Sequence, residues 1–172
     1  SAISRIEQGE PTILKTDTLK DTMPSCIFFN KKKAIQVGDS AYSALKRDKL
    51  KALKSPEKAI SNAFIEFKRT MGTDKTYFSQ IMDHQYNSEE LSSEVLKTMR
   101  SFVSDESVNS VVVTVPAKFT SNQKDATLRA AELAGFSQCE LLQEPIAAAM
   151  AYGTTSSIKD GHILVFDFGG GT

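Results

Sequence analysis

The sequence predicts an α/β fold, because strand and helix patterns alternate along its second half. Residues 111–115 form an apolar, β-branched run of the kind found in strands that are covered on both faces. Further strands are predicted at 139–143 and 163–168, and a helical pattern precedes each of them. The resulting order of strand, helix, strand, helix and strand is typical of an α/β layer.

Strand and turn signals also divide the first half of the chain. A turn at 8–11 separates two short strands, and Pro24 breaks the chain before a third. The lysine-rich turn at 30–33 leads into a fourth strand. The predicted strands occupy residues 2–6, 12–15, 25–29 and 34–37.

Two helices are predicted between these strands and residue 72. Asp39 or Ser40 can act as the N-cap of a short helix that runs through Leu45. Apolar residues at helical spacing predict a second helix up to residue 69, with members at Ile60, Phe64 and Phe67. Gly72 is expected to end that helix, which places Lys68 near a helix end.

Three further helices are predicted in the second half. Two of them start with a side chain that can cap the helix and a partner three residues later, namely Asn87 with Glu90 and Thr120 with Gln123. The apolar stripe of the first continues to about residue 104, and Gly135 ends the second. Pro145 suits the first position of the last helix, 146–152, which Gly153 is expected to end.

Composition excludes several classes of protein. The chain has 172 residues with 21 acidic and 21 basic side chains, so its net charge points to no particular partner. Cys26 and Cys139 form no CxxC pair, and a reducing, cytoplasmic setting is expected. No run approaches the roughly 18 apolar residues of a membrane span, so we expect no membrane partner. The chain starts without methionine and stops inside a glycine run, so we expect it to be truncated.

A basic stretch and two histidines could carry chemistry. The cations of the stretch are Lys46, Arg47, Lys49, Lys51, Lys54 and Lys58. They could indicate nucleic-acid binding, but no aromatic side chains interleave with them, so a solvated helix face is the preferred interpretation. His84 and His162 have no ligand-type spacing around them, so neither a histidine metal site nor a triad is indicated.

The strongest chemical signal is the end of the chain, where a buried strand pattern delivers Asp167, then Gly169, Gly170 and Gly171, and then Thr172. Glycines let backbone N–H groups face phosphate oxygens, threonine adds a hydroxyl, and a carboxylate can hold the water shell of Mg²⁺. A flexible turn after a strand is the alternative interpretation. The Walker A and G-x-G-x-x-G patterns are both absent, so any nucleotide site must be of another type.

Two more residues stand at positions that can be functional or structural. Glu144 lies where a predicted strand ends and a helix begins, a place from which α/β proteins point side chains at ligands. A carboxylate there can equally serve to stabilise the helix start. Lys68 has the same ambiguity, because a lysine near a helix end is often merely solvated.

Five segments in order resemble the nucleotide-binding domain of the seventy-kilodalton heat-shock chaperones of the DnaK type, within the actin-like ATPase superfamily. They are 67–69 with Gly72, 113–119, 131–135, 144–153 and 167–172. Each is weak alone, but their common order and spacing make the resemblance specific over essentially the whole chain. It favours the phosphate-binding interpretation of the glycines.

The resemblance implies an actin-like ATPase (ribonuclease H-like) lobe: a mixed sheet with flanking helices and an inserted α+β subdomain. The core of lobe I would comprise 1–25 and 88–160, the inserted subdomain 26–87, and the first strand and phosphate loop of lobe II 161–172. The family hydrolyses ATP to ADP with Mg²⁺ and K⁺ in a cleft between two lobes, in the cytoplasm and in the stress response. Hydrolysis is coupled to protein folding through unfolded peptide clients on a separate domain, a cochaperone and a nucleotide-exchange factor.

Residue roles follow from the same resemblance. Lys68 resembles the catalytic lysine that places and polarises the attacking water. Glu144 and Asp167 resemble the carboxylates that organise Mg²⁺-bound water and the nucleophile. Thr172 and the backbone of 169–171 resemble the second phosphate loop. Pro116 and Lys124 stand where the family relays the nucleotide state to the peptide domain.

Several departures from the family pattern change the expectation for this chain. The first phosphate loop, an Asp-Leu-Gly-Thr-Thr run, should precede Ser1, and without it and the second lobe we expect no ATPase activity from the chain alone. Lys118 replaces an aromatic residue. Lys124 replaces an arginine, and the lysine ammonium cannot reproduce the bidentate hydrogen bonds of a guanidinium group. Gln143 and Ile146 replace the family's asparagine and threonine.

Loss of the first strand would leave sheet edges unpaired. We therefore hypothesise that 164–168 fills the gap beside 111–115, within one chain or in a strand-swapped dimer.

Two other functions stay open at this point. One is a chaperone-like binding module without hydrolysis, and the other is a sugar-kinase or actin relative.

Overall fold

A computed structural model describes residues 1–54, 62–155 and 161–167 of the chain. Its strands are β1 (Ser4–Glu7), β2 (Glu10–Ile13), β3 (Cys26–Phe29), β4 (Ile35–Val37), β5 (Ala63–Ile65), β6 (Thr76–Ser79), β7 (His84–Asn87), β8 (Ser110–Val115) and β9 (Gln138–Gln143). Its α-helices are α1 (Asp39–Lys54), α2 (Ser88–Ser101), α3 (Ser121–Leu133) and α4 (Glu144–Thr155). A short 3₁₀ helix, Phe67–Thr70, lies between β5 and β6.

Hydrogen bonds join these strands into small sheets. Among the described residues, β1 pairs with β2, β6 pairs with β7, and β3 lies between β4 and β5, all antiparallel. The strands β8 and β9 form a parallel pair that is connected through α3. The predicted mixed α/β character is therefore present, as several small sheets with helices packed on them.

The parallel pair sets the geometry of the second half. Val115 lies opposite Gln143, so β8 and β9 end at the same edge, and Pro116 and Glu144 follow from neighbouring strand ends. The crossover helix α3 begins with the predicted capping box, in which the Gln123 amide donates to Thr120 Oγ1 at 3.4 Å. The strand–helix–strand order predicted from sequence is confirmed here.

The helix α2 supplies much of the hydrophobic core. Its N-terminus is held by the predicted Asn87 and Glu90 capping box, with both side-chain to backbone hydrogen bonds at 2.8 Å. The predicted stripe of Leu91, Val95 and Met99 is buried. This stripe packs in one cluster with residues of other elements, namely Met23, Ile27, Phe29 and Phe67.

Three expectations for the first half need correction. The helix α1 continues to Lys54 instead of ending at Leu45. The predicted helix up to residue 69 is instead the strand β5 and the 3₁₀ helix, because β5 pairs with β3 along its whole length; Ile60 lies outside the described residues. The turn before β2 is confined to Gln8 and Gly9, whose φ angles of 53° and 89° suit a tight hairpin turn.

A hairpin that the sequence did not predict joins β6 and β7. Ser79 lies opposite His84, and Asp83 has a φ of 52° in the connecting turn. Asp83 therefore ends a turn, and His84 starts a strand. Tyr86 of this hairpin stacks on Phe29 with ring centroids 4.6 Å apart, and Phe64 meets Phe29 edge to face at 5.8 Å.

Corrections also apply to the second half. The strand β8 is not covered on both faces, because its burial alternates and Val112 is exposed. Gly153 does not end the last helix, since α4 runs through it to Thr155. The strand predicted at 163–168 is absent from its described part, 163–167, where Leu164 is almost fully exposed.

The last described segment, 161–167, packs beside α4. Ile163 and Val165 lie beside α4 with Pro145, Ile146, Ala149 and Met150 around one groove. In the described residues β8 pairs only with β9, so the hypothesis that the final strand fills the gap beside β8 within its own chain is wrong for 163–167. Exchange of this strand between two chains stays a prediction.

No helix in the described ranges has both the length and the hydrophobicity to cross a bilayer.

Replacing Phe29 by alanine tests the core. Phe29 is fully buried between α2 and the ring of Tyr86, so we expect Phe29→Ala to lower the free energy of unfolding by about 3–5 kcal/mol. Urea unfolding followed by circular dichroism measures this loss. The control is Phe78→Ala on β6, where a half-exposed ring should cost less than about 1 kcal/mol. Equal losses in the two variants would contradict this core.

Candidate functional site

The 3₁₀ helix holds Lys68 between two buried apolar anchors. Phe67 and Met71 are both buried in the core, while the Lys68 side chain is 41% exposed. Glu66 precedes the helix with a φ of 60°, so the chain turns sharply after β5. The anchors fix the backbone, and the ammonium group is left to face a cleft.

A close backbone contact fixes this segment against α3. Gly72 has a φ of 67°, and a Cβ atom placed on it would lie 2.6 Å from the Asn122 carbonyl oxygen. Real Cβ contacts are not that short, so only glycine allows this approach. The start of α3 therefore supports the segment that carries Lys68.

Glu144 reaches the same place from the parallel strands. It is the first residue of α4, directly after β9, and its Oε1 accepts a hydrogen bond from Lys68 Nζ at 2.6 Å. A turn at the end of the neighbouring β8, closed by a 3.0 Å bond from the Phe119 amide to the Pro116 carbonyl, brings the Phe119 ring to 6.0 Å from Lys68 Nζ. Both parallel strand ends thus contribute a group to one lysine.

The three predicted chemical side chains line one cleft. Lys68, Glu144 and Asp167 all contribute to its wall, and its volume is about 540 Å³. The other lining residues are Pro24, Ser25, Cys26, Tyr42, Ile65, Glu66 and Phe67. Residues that are 76 positions apart in sequence, Lys68 and Glu144, are therefore brought together with a second carboxylate near the end of the described chain.

Charge and burial both act on groups around the cleft. Burial, followed by the positive charge of Lys68, lowers the pKa of the Ser1 amino group, so the start of the chain lies within electrostatic reach of Lys68. Burial raises the pKa of the Cys26 thiol to about 11, which leaves it protonated at neutral pH. Cys26 is fully buried and forms part of the cleft wall.

Three carboxylates line the cleft, and one of them, Glu66, pairs with Arg69 at 3.3 Å. Within the described residues no group of three or more His, Cys, Asp or Glu side chains could hold a metal ion directly. Mg²⁺, however, keeps several water ligands and often uses only one or two protein carboxylates. Glu144 and Asp167 fit this kind of water-mediated binding.

A polar cavity of similar size, about 520 Å³, lies between the starts of α2 and α3. Its wall includes Glu89, Asp125 and Arg129, and Arg129 pairs with Glu89 at 2.7 Å. None of the predicted site residues lines it. The chemistry predicted from sequence therefore selects the cleft around Lys68.

Comparison with known proteins identifies the family. The family model described as Hsp70 protein matches residues 1–172. The chaperone protein DnaK of Mesomycoplasma hyopneumoniae (strain J) is 35% identical over 175 residues, which cover 100% of this chain and 27% of the relative. The DnaK of Ureaplasma parvum serovar 3 is also 35% identical, over 100% of this chain and 26% of its own length.

The chain belongs to the Hsp70 family. The resemblance predicted from five motifs is thereby confirmed, and the alternative of a sugar-kinase or actin relative is wrong. Membership implies the actin-like ATPase fold, with which the mixed α/β architecture agrees. The chain spans about a quarter of the length of these DnaK relatives.

Not all the predicted site residues of this Hsp70 chain are brought together. Pro116 and Lys124 lie at the end of β8 and in the first turns of α3, and no ion pair involves Lys124 in the part of the chain that the structure describes. The predicted phosphate-loop residues lie outside the described residues; they are Gly169, Gly170, Gly171 and Thr172.

Sequence reasoning missed some wall residues of the Hsp70 cleft. Tyr42 and Ser25 carry no spacing signal, because they reach the cleft only through the packing of α1 and β3. Phe119 was part of a quoted motif but was given no role. One signal could have placed Phe119 in a turn that faces the site. It lies three residues after Pro116, and Pro116 ends a strand.

A matched pair of glycine substitutions tests the support of Lys68. We expect Gly72→Ala to destabilise the protein by at least about 1–2 kcal/mol, because alanine disfavours a left-handed backbone and would collide with Asn122. Gly153→Ala should instead stabilise by about 0.5–1 kcal/mol, because Gly153 is helical and has nothing within 4 Å of the new methyl group. Urea unfolding measures both. A neutral Gly72→Ala would show that α3 does not clamp this segment.

Proposed function

We propose that this chain forms one side of the nucleotide site of an Hsp70-type chaperone ATPase. The observation that carries the proposal is the convergence of Lys68, Glu144 and Asp167 on one cleft. A compact cation beside two carboxylates suits a site that must bind a triphosphate, its metal ion and an attacking water together.

Each of the three residues has a distinct part in the proposal. The Lys68 ammonium can donate to a terminal phosphate oxygen and to the attacking water, which positions the water and stabilises charge on the transferring group. Glu144 keeps that ammonium in the cleft through the 2.6 Å hydrogen bond. Asp167 and Glu144 would hold Mg²⁺ through water, and the ion supplies charge neutralisation on the phosphates when bound. In the same proposal, the intact domain also binds K⁺.

The phosphate loop would continue from Asp167. Because Asp167 lies at the cleft, the glycines at 169–171 and Thr172 are within a few residues of it, and their backbone amides suit phosphate oxygens. The Ser1 amine lies near Lys68 in the same region. In a longer protein, a residue before Ser1 would also start beside this cleft, where the first phosphate loop of the family is expected.

The proposed domain division is supported in part by packing. Residues 1–25 and 88–160 would form the core of lobe I, 26–87 an inserted subdomain, and 161–172 the start of lobe II. The sheets β4–β3–β5 and β6–β7 fall entirely within 26–87. Phe29 of this segment shares a hydrophobic cluster with Leu91 of α2, so the inserted subdomain would rest on lobe I through a common core.

The remaining functions belong to the longer protein in this proposal. It would bind unfolded peptide clients, a cochaperone and a nucleotide-exchange factor in the cytoplasm, and the chain alone would not hydrolyse ATP. Pro116 and Lys124 would relay the nucleotide state to the peptide domain. Pro116 supports this role by its position, because the turn that it starts places Phe119 over Lys68.

Turnover in the longer protein tests the proposal. We expect Lys68→Gln to bind ATP and Mg²⁺ but to lower the rate of hydrolysis on the order of a hundredfold, because one preorganised donor to the transferring group is lost. Glu144→Gln and Asp167→Asn should also lower turnover. Isothermal titration measures binding, and phosphate release measures hydrolysis.

The matched control is Lys97→Gln on α2. Lys97 and Glu94 form an ion pair at 2.7 Å with side chains 47% and 25% exposed, against 2.6 Å, 41% and 21% for Lys68 and Glu144. The two substitutions thus remove the same kind of pair at different places. Normal turnover in Lys68→Gln would overturn the role of this residue, and ATP binding without turnover in the unaltered protein would favour the non-hydrolysing binding module.

A further inference from the structure

The second half of α1 exposes leucines among cations. Leu50 and Leu53 are 61% and 81% exposed, although both lie in a regular helix whose opposite side is packed on the protein. The residues of α1 that face the core are Ala41, Ala44 and Leu45. The solvated basic face predicted from sequence therefore accounts for the lysines but not for these two leucines.

Helix geometry places the leucines on the outer side. At about 100° per residue, Leu50 lies roughly 120–180° around the helix from the three core-facing residues. Lys46 and Lys54 lie one turn before and one turn after Leu50, and Lys49 lies one turn before Leu53. We call Lys46, Lys49, Leu50, Leu53 and Lys54 the α1 outer face.

Charge is concentrated on this part of a neutral chain. Residues 46–54 contain five cations and one carboxylate, a net charge of +4, although the whole chain has 21 basic and 21 acidic side chains. In the described ranges none of these five cations forms an ion pair with a carboxylate. Lys46 lies 4.8 Å over the Tyr42 ring, and the other four cations are exposed.

We propose that the α1 outer face docks this protein onto an anionic lipid bilayer. The lysines lie at the level of the headgroups and attract anionic lipids, while Leu50 and Leu53 insert between them. Because the inner side of α1 is already packed on the protein, the helix is formed before binding and no folding cost is added. This proposal departs from the expectation from sequence that the protein has no membrane partner.

The leucines decide between a bilayer and other anionic partners. Phosphate contacts with a nucleic acid gain nothing from exposed leucines, and the face offers no row of aromatic rings for bases to stack on. A short peptide would need a groove on this protein, where α1 is convex, and a folded protein partner would need an acidic, apolar groove of its own that receives α1. A bilayer uses both features of the face at once, the positive charge and the apolar side chains.

This inference does not depend on the proposed ATPase. Tyr42, in the first turn of α1, lines the cleft, and Lys46 of the α1 outer face lies over its ring. The two leucines of this face lie in the last turns of the helix. Docking would leave the cleft at the other end of α1. Loss of lipid binding and loss of ATP turnover are consequently separable results.

Vesicle binding tests the proposal on the purified chain. We expect sedimentation with vesicles of phosphatidylcholine and phosphatidylserine in equal amounts, and none with phosphatidylcholine alone. Lys46→Gln, Lys49→Gln and Lys54→Gln together should lower the partition coefficient on the order of a hundredfold, since each lysine near an anionic surface contributes about fivefold. Leu50→Ser with Leu53→Ser, which leaves the charge unchanged, should lower it on the order of tenfold.

The control removes the same charge from other exposed positions. Lys31→Gln, Lys32→Gln and Lys75→Gln together should lower binding far less than the α1 variant. All substituted side chains are exposed, and thermal unfolding without vesicles checks that each variant folds. Equal loss of binding in the control, or full binding by the Leu50→Ser and Leu53→Ser variant, would overturn the proposal.

Fluorescence locates the contact independently. The chain has no tryptophan, so Leu53→Trp introduces a single reporter on the α1 outer face and Phe78→Trp places one on β6. We expect a blue shift with anionic vesicles for Leu53→Trp alone. A shift for Phe78→Trp alone would place the bilayer contact elsewhere. Binding to a single-stranded oligonucleotide without binding to anionic vesicles would identify a nucleic-acid site instead. Either result would overturn the proposal.

Discussion

The candidate site depends on the ion pair between Lys68 and Glu144, whose atoms lie 2.6 Å apart. Both side chains are partly exposed, so the pair contributes little net stability, and its effect is to set positions. It can form because β8 and β9 are parallel and end in register, which places Glu144 beside the turn that carries Phe119. Without that register, Lys68 would lose the carboxylate that accepts its hydrogen bond.

The lysine is held from its other side by packing. Phe67 belongs to the core cluster that α2 shares with β3, and Gly72 lies against the start of α3. Packing thus holds the backbone on both sides of Lys68, while its ammonium group stays accessible. Such an arrangement suits a group that must exchange a carboxylate partner for a phosphate oxygen without movement of the backbone.

Local signals predicted the helix starts well, and long-range pairing explains most of the errors. The capping boxes at Asn87 and Thr120 need only residues three positions apart, so the sequence shows them directly. The strand β5 reads as part of a helix because only its pairing with β3, more than 30 residues earlier, makes it extended. Likewise, Lys68 and Glu144 are each ambiguous alone; the family resemblance named them, and the fold brought them together.

The most direct test is a crystal structure of the longer protein with Mg²⁺ and a non-hydrolysable ATP analogue. The distance to measure is that from Lys68 Nζ to the nearest oxygen of the terminal phosphate. We predict about 2.7–3.2 Å, with Glu144 and Asp167 facing the metal-bound waters. An analogue bound elsewhere, for example in the polar cavity between α2 and α3, with Lys68 still paired only to Glu144, would contradict the assignment of this cleft.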